Sequence, residues 1–209
     1  MSSNRFDTAA AEWDQKQRRV DLAAAIAAGI AALPLHQEME ALEYGCGTGL
    51  VGLALAPRLG SLVAADSSPG MLATLGDKIA AQGITNVRPL LLDLHSQDCP
   101  QQFDLIFSAM TLHHIDDVDL ILGKIVDGLK PGGIVALADL DTEDGSFHRD
   151  NPAGVMHHGF DRVHLADVLR RLGLGTIESS TVHTIMKENA TGAKQPFPVF
   201  LLTAVKDRT

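Results

Sequence analysis

The chain has 209 residues, 45% of them hydrophobic and 21% charged, which is ordinary globular usage and excludes a disordered, fibrous or coiled-coil protein. A formal net charge of −9, with no basic cluster beyond the stretch 16–19, argues against a nucleic-acid substrate, because binding to a phosphate backbone depends on cations. We expect a cytoplasmic protein with no membrane partner, since the sequence shows no apolar run near the ~20 residues of a membrane span, no secretory signal and only two cysteines.

Short apolar runs alternate with segments of helical spacing through most of the chain, which predicts a mostly parallel α/β sheet. An Ala-rich segment at 18–33, with apolar residues at helical spacing, precedes the first run and predicts an N-terminal helical cap. The predicted strands are 41–44, 62–65, 87–92, 103–108, 134–140, 176–186 and 198–205. The predicted helices between them are 51–59, 71–82, 118–129 and 164–172.

The last two predicted strands are separated only by 187–196, so we expect them to pair antiparallel at one edge. The predicted fold is therefore a doubly wound, mostly parallel seven-stranded α/β sheet with an antiparallel edge hairpin and an N-terminal helical cap. We expect one domain over 1–209. Its parts are a cap at 1–36, a core at 37–140, a substrate-side loop at 141–161 and a C-terminal helix with edge strands at 162–209.

A glycine-rich turn follows the first predicted strand and is the strongest functional signal. Its glycines stand at alternate positions, Gly45, Gly47 and Gly49. Because glycine tolerates positive φ and has no Cβ, backbone N–H groups and a helix N-terminus can approach a ligand closely there. The stretch 47–52 also satisfies the G-x-G-x-x-G dinucleotide pattern, with Asp66 following at the spacing of a ribose-binding acid. Glu43 in the last residues of the strand favours a different nucleoside ligand.

The stretch from Glu43 to Gly49 resembles motif I of the class I S-adenosylmethionine-dependent methyltransferases, an acidic residue followed by G-x-G-x-G. Further matches follow in the order of that family at the ends of the second and third strands, in the fourth strand and in the turn before the fifth. The resemblance covers 6–140, and its opening is similar to that of a small-molecule branch. It implies S-adenosylmethionine as cofactor, S-adenosylhomocysteine as product and a small molecule as methyl acceptor.

The resemblance also implies roles for individual residues. Asp66 would accept hydrogen bonds from the ribose hydroxyls, and Asp93 would accept one from the adenine amino group while Leu94 donates a backbone N–H to the ring. The full set implied to contact the cofactor is Glu43, Gly45, Cys46, Gly47, Gly49, Asp66, Ser67, Met71, Asp93, Leu94 and Ser108. An ordinary helix-cap or strand-end role is the alternative for Asp66 and Asp93.

Histidines are the candidates for a general base, should the acceptor have to lose a proton. The three candidates are His113, His157 and His158, with His114 given less weight. Adjacent histidines are expected to point in different directions and to chelate poorly. A wider set could ligate a metal if it converged: Asp139, Asp141, His148, His157, His158 and Asp161. Sequence spacing does not show convergence, so we predict no metal.

Two other functions stay open. A nicotinamide-dependent oxidoreductase rests on the dinucleotide pattern alone and lacks a Tyr-x-x-x-Lys proton donor, since the only tyrosine, Tyr44, lies in motif I. A non-catalytic S-adenosylmethionine-binding protein would keep the same acids and glycines. Methylation of DNA bases is disfavoured because 108–111 lacks the paired prolines and aromatic residue of such enzymes. The sequence leaves the acceptor, the methylated atom and the oligomeric state undetermined.

Overall fold

A seven-stranded sheet organises the protein, whose computed structural model describes residues 3–149, 152–188 and 193–208. The strands are β1 Glu40–Tyr44, β2 Ser61–Asp66, β3 Val87–Leu91, β4 Phe103–Ala109, β5 Leu129–Leu140, β6 Leu174–Glu188 and β7 Lys194–Lys206. Their order is β3-β2-β1-β4-β5-β7-β6. Strands β1 to β5 pair in parallel, and β7 lies antiparallel between β5 and β6. The predicted mostly parallel sheet with an antiparallel edge hairpin is confirmed.

Helices cover both faces of the sheet. Within the described residues they are α1 Ser3–Ala9, α2 Gln17–Ala31, α3 Leu50–Leu55, α4 Pro69–Gln82, α5 Val118–Asp127 and α6 Arg162–Arg171. Short 3-10 turns lie at Ala10–Gln15, Ala56–Arg58 and Leu112–His114. The predicted N-terminal cap is confirmed, and it also contains α1 and the first 3-10 turn, which apolar spacing did not indicate. None of the described helices combines the length and apolarity that crossing a membrane requires.

The helix bounds follow local chemistry. Helix α3 is shorter than predicted because the chain continues into a 3-10 turn that contains Pro57. Helix α4 begins two residues earlier than predicted, where Pro69 occupies the first turn and Ser68 Oγ accepts a hydrogen bond from the Met71 N–H. Helix α5 ends at Asp127, because Leu129 already belongs to β5.

Two apolar cores lie on opposite faces of the sheet, as the period-two alternation of a doubly covered strand requires. Ala41 of β1 and Phe107 of β4 pack with α2 and α3 on one face. Leu42 of β1 and Ile106 of β4 pack with α5 and α6 on the other. The sheet is thereby a rigid platform whose carboxyl edge can position ligand-binding side chains.

The edge hairpin is longer than predicted, because β6 runs to Glu188 and β7 starts at Lys194. Strand β5 pairs with β7 only as far as the partners Leu140 and Val199. Beyond that point β7 has β6 as its remaining sheet neighbour, and this part of β7 contains Pro196 and Pro198. Prolines are compatible with a strand where one edge is free of ladder hydrogen bonds.

Candidate functional site

A cavity of about 950 Å³ lies at the carboxyl ends of β1, β2 and β4. The strand order reverses between β1 and β4, and such a switch point is where open α/β sheets bind ligands. The volume is at the upper end of the ~300–1,000 Å³ typical of small-molecule sites. The glycine turn after β1 forms its floor, the N-terminal cap covers it, and residues 153, 154 and 156 of the predicted substrate-side loop form part of one wall.

The glycine turn has the left-handed backbone that its sequence predicts. Gly45, Gly47 and Gly49 have φ values of 75°, 52° and 80°. A Cβ at Gly45 would lie 2.2 Å from Thr111 Oγ1, and one at Gly49 would lie 2.4 Å from a methyl carbon of Leu75. Only glycine fits at these two positions. Because glycine has no side chain, the backbone of the turn is left uncovered beside the cavity.

Asp66 ends β2 and is fixed at the cavity by two backbone donors. Its Oδ2 accepts from the Gly47 N–H at 2.8 Å, and its Oδ1 accepts from the Ser68 N–H at 2.9 Å. Burial raises the pKa of Asp66, and the backbone hydrogen bonds oppose that rise. Each carboxylate oxygen can accept a second hydrogen bond, so Asp66 offers a rigid acceptor to a ligand.

Glu43 is a buried acid at the cavity floor, and its side chain is 2% exposed. Its Oε2 has no hydrogen-bond partner. Burial and the nearby Asp66 together raise the pKa of Glu43 to about 8. A backbone hydrogen bond from Gly52 opposes this rise, but Oε2 still lacks the donor or cation that normally accompanies a buried carboxyl oxygen, so a ligand group can fill that role.

Most of the remaining predicted cofactor residues also line the cavity. They are Cys46, Ser67, Met71 and Asp93. Asp93 Oδ1 accepts from the His95 N–H at 3.0 Å, and His95 Nε2 lies 2.7 Å from Asp116 Oδ1. Burial lowers the pKa of His95, but hydrogen bonds to the two carboxylates outweigh it and the pKa is raised. His95 and Asp116 line the cavity as well and were not predicted.

Three predicted cofactor residues, Gly49, Leu94 and Ser108, do not line the cavity. Gly49 is the N-cap of α3, and the Leu94 side chain is fully buried in the core. Ser108 is buried and donates from Oγ to the Tyr44 carbonyl at 2.8 Å. Strand alternation turns Ser108 away while its neighbour Ala109 lines the cavity. The Ser108 hydroxyl thus joins β4 to β1, and a cofactor contact of Ser108 stays a prediction.

The N-terminal cap is attached to the cofactor-side turns through two aspartates. Asp7 accepts from Ser68 Oγ at 2.6 Å and from the Gly70 N–H at 2.8 Å. Asp14 accepts from Thr48 Oγ1 at 2.6 Å and pairs with Lys78. These contacts were not predicted from the sequence. The weak signal for them was that each aspartate follows an aromatic residue, in Phe6-Asp7 and Trp13-Asp14.

Aromatic side chains of the cap form the roof of the cavity. The rings of Phe6 and Trp13 lie 5.8 Å apart, and the Arg19 guanidinium stacks 3.5 Å from the centre of the Trp13 ring. All three side chains line the cavity. A roof of this kind can exclude water from a ligand bound beneath it.

Of the two adjacent histidines, His114 lines the cavity, as His95 does, whereas His113, His157 and His158 do not line it. His113 is 2% exposed, and its Nδ1 lies 2.7 Å from Oδ1 of Asp139, which is fully buried. The His157 N–H donates to the His113 carbonyl at 3.2 Å, and His158 is exposed. Burial first, and then His113, lowers the pKa of His114 to about 4. His114 therefore lies at the cavity while its neighbour His113 is buried behind it, and a catalytic role for either stays a prediction.

The expectation that His113 and His114 diverge is wrong. Both lie on the 3-10 turn after β4, and their ring centres are 4.1 Å apart. His148, from the loop after β5, lies 4.9 Å from the His113 ring and 5.9 Å from the His114 ring. Of the wider set considered for metal binding, Asp141 pairs with Arg162 and Asp161 caps α6. His148 alone of the loop histidines joins His113 and His114.

Comparison with known proteins gives a consistent result. The family model described as "Methyltransferase domain" matches residues 41–133. An uncharacterized methyltransferase of Schizosaccharomyces pombe is 33% identical over 135 residues, which are 58% of this chain and 48% of that protein. The trans-aconitate 2-methyltransferase of Deinococcus radiodurans is 32% identical over 139 residues, 65% of this chain and 52% of that protein. The chain spans about half the length of these curated relatives.

The likeness of fold extends beyond the matched core. The solved structure of DhpI in complex with S-adenosylhomocysteine superposes with a TM-score of 0.72 at 22% identity. The superposition covers 98% of this chain and 94% of that one. The N-terminal cap and the edge hairpin therefore belong to a fold that also occurs in DhpI.

Proposed function

Because the chain belongs to the class I S-adenosylmethionine-dependent methyltransferases, we propose that it binds S-adenosylmethionine and transfers the methyl group to a small-molecule acceptor. The observation that carries the proposal is the arrangement of the glycine turn, Asp66 and Asp93 around one cavity at the carboxyl edge of the sheet. These residues lie far apart in the sequence, and each is of the type that a nucleoside with a charged side chain requires.

The cavity fits this cofactor in its donors and acceptors. Asp66 is rigid and retains lone pairs for the two ribose hydroxyls. Asp93, which lines the cavity, would accept from the adenine amino group, while the backbone N–H that the resemblance implies for Leu94 belongs to a residue outside the lining. Ser67 and Met71 would border the adenosine. The backbone of the glycine turn would lie against the remainder of the ligand.

Glu43 gives a further test of fit. The Oε2 atom of this buried acid has no partner in the free protein. The amino-acid end of S-adenosylmethionine carries an ammonium group, which would supply the missing positive charge, directly or through water. Binding would then favour the ionised form of Glu43 and lower its pKa.

The bound cofactor supplies a methyl group on a sulfonium, and S-adenosylhomocysteine leaves as the methyl–sulfur bond breaks and the bond to the acceptor forms. The chain itself contributes orientation and exclusion of water, effects that reach several kcal/mol in related chemistry. Phe6 and Trp13 would close the cavity, and Asp66 would fix the cofactor in position. If the acceptor must lose a proton, His114 and His95 are the candidate bases that line the cavity, whereas the predicted His113, His157 and His158 do not line it.

The proposal also includes the setting in which the protein works. Both cysteines are free thiols, in keeping with the reducing conditions of the cytoplasm. We infer a single domain over 1–209, with neither a nucleic acid nor a membrane as substrate, given the net charge of −9.

Calorimetric titration with S-adenosylmethionine and S-adenosylhomocysteine tests the proposal, with NADH as the competing ligand. We expect micromolar binding of the first two and its loss in Asp66→Asn, which keeps the size of the side chain but removes its charge. Asp77→Asn is the matched control, since Asp77 is exposed on α4, away from the cavity. Tighter binding of NADH than of S-adenosylmethionine would overturn the proposal in favour of an oxidoreductase. Binding without turnover across a broad set of acceptors would favour a non-catalytic cofactor-binding protein.

A further inference from the structure

Three histidines from two separate segments converge beside the cavity. His113 and His114 come from the turn after β4, and His148 comes from the loop after β5. One ring nitrogen from each lies within 4.8 Å of the other two. Imidazole nitrogens grouped in this way form the kind of donor set that binds a transition-metal ion.

The partners of the rings leave nitrogens free to coordinate. Nδ1 of His113 is engaged by the buried Asp139, and Nδ1 of His114 is engaged by the Gly154 carbonyl at 2.7 Å. In a neutral imidazole, a donating Nδ1–H leaves the lone pair on Nε2. Nδ1 of His148 is buried without a hydrogen-bond partner. All three rings therefore carry a nitrogen that protein hydrogen bonds do not account for.

We propose that His113, His114 and His148 bind one divalent transition-metal ion of the zinc class. Zn–N bonds of ~2.0–2.1 Å in a tetrahedral arrangement separate the nitrogens by roughly 3.4 Å. The present spacing of at most 4.8 Å is wider than that value, so binding would require the three rings to move closer together. Carboxylate, carbonyl and water suit Mg²⁺ and Ca²⁺, whereas three imidazoles suit Zn²⁺, Co²⁺ or Ni²⁺.

The surroundings of the cluster match those of a metal site. Asp139 behind His113 is the carboxylate–histidine pairing that orients metal ligands and raises their basicity. Lys187 and Arg5 disfavour additional positive charge at His148, whereas the carboxylate of Asp139 lies on the His113 side of the cluster. Packing alone would also account for neighbouring rings, but it gives no reason for one nitrogen of each ring to lie within 4.8 Å of the other two.

The position of the site gives it two consequences. An ion held by His148 and His113 would join the loop after β5 to the turn after β4 and fix that wall of the cavity. Three protein ligands leave a fourth coordination position for water or a ligand atom. Because His114 also lines the cavity, an acceptor there would lie close to the ion. Metal binding itself does not depend on the proposed methyl transfer.

Metal titration of the purified full chain, freed of any polyhistidine tag and stripped with a chelator, tests the site. Co²⁺ serves as the spectroscopic probe, and Zn²⁺ is measured by competition with a chromophoric chelator. We expect one ion per chain, with the visible d–d absorption of a tetrahedral Co²⁺ centre that Zn²⁺ abolishes. Asp139→Asn should weaken metal binding ~10–100-fold, which is the usual effect of removing a carboxylate that hydrogen-bonds to a metal-binding histidine. His148→Ala should weaken metal binding further.

His158→Ala is the matched control, because His158 is an exposed histidine of the same loop. It should leave stoichiometry and spectrum unchanged. His148→Gln repeats the test with less change in packing, and thermal melting without metal establishes that each variant folds. Absence of stoichiometric binding in the unmodified chain would overturn the proposal, as would equal losses in His148→Ala and His158→Ala. Calorimetry with S-adenosylmethionine is read separately, so failure of either proposal is distinguishable from failure of the other.

Discussion

The carboxylate of Asp7 accepts a 2.6 Å hydrogen bond from the Ser68 hydroxyl, 61 residues further along the chain. It also accepts from the Gly70 N–H, so a single side chain of α1 engages the first turn of α4. The cap is thereby attached to the segment that carries Ser67 and Met71 at the cavity. The hydrogen bonds, the largest from Ser68 and the next from Gly70, lower the pKa of Asp7.

Removal of this attachment should loosen the cap and weaken cofactor binding. We expect Asp7→Ala to bind S-adenosylhomocysteine about tenfold more weakly, because ordering of α1 must then accompany binding. Calorimetry measures the affinity, and hydrogen exchange of residues 3–9 measures the opening. Asp21→Ala, on the exposed side of α2, is the control. Unchanged affinity together with faster exchange would mean that the cap plays no part in binding.

The glycine turn should be intolerant of a single added methyl group. Gly45→Ala combines a φ of +75° with a Cβ that would lie 2.2 Å from Thr111 Oγ1, and we expect a loss of about 2–4 kcal/mol in the free energy of unfolding. Urea denaturation measures this quantity. Gly76→Ala in α4 meets no atom within 4 Å, so it should instead stabilise the protein by about 0.5–1 kcal/mol. Equal effects of the two substitutions would contradict the strain at Gly45.

Glu43 should make the free protein less stable as pH rises. Its pKa of about 8 lies above the ordinary value of 4.5, so the folded chain holds a proton that the unfolded chain has lost between those values. The stabilising contribution is complete below pH 4.5 and disappears as pH rises through 8. Over that range the free energy of unfolding should fall by about 3–5 kcal/mol more in the unmodified chain than in Glu43→Gln.

Urea denaturation of both proteins without cofactor, at several pH values from 4.5 to 8.5, measures this difference. All other groups titrate in both proteins, so their contributions cancel in the comparison. Parallel stability curves would show that Glu43 is ionised in the folded state at neutral pH.

The substitution Ser108→Ala distinguishes a packing role of the Ser108 side chain from a contact with the cofactor. The buried Oγ donates to the Tyr44 carbonyl, so its removal should cost about 1–2 kcal/mol of stability and leave the affinity for S-adenosylmethionine unchanged. Ser179→Ala on the exposed side of β6 should change neither quantity. A weaker affinity at unchanged stability would instead restore the cofactor contact that the sequence resemblance implied.

The sheet could be predicted because each of its strands has an apolar pattern of its own. The segment 103–108 alone, for example, determines that β4 is buried on both faces, and the glycine turn identifies the ligand edge. The direction of individual side chains could not be predicted in the same way. A resemblance to a family motif places Ser108 near the cofactor, but strand alternation points it into the core.

Contacts between segments distant in the sequence could not be predicted either. Asp14 and Thr48 are 34 residues apart, and nothing in either local pattern shows that they share a hydrogen bond. The meeting of His148 with His113 depends on how an irregular loop folds back over a 3-10 turn. Irregular backbone carries no periodicity from which direction can be inferred.

Pro196 and Pro198 bear on how the protein behaves in a crowded solution. The Pro198 carbonyl accepts from the Asp141 N–H, so it faces the β5 side of β7, directly beyond the last β5–β7 pair. The N and C=O groups of one strand residue face the same edge of the strand, and residues two positions apart face the same edge as each other. The ring nitrogens of Pro196 and Pro198 therefore both face this side of β7. That stretch of edge has no N–H at either position to offer to an incoming strand. This side of β7 is therefore a poor template for pairing with a strand of another chain, while β6 remains the outer strand of the sheet.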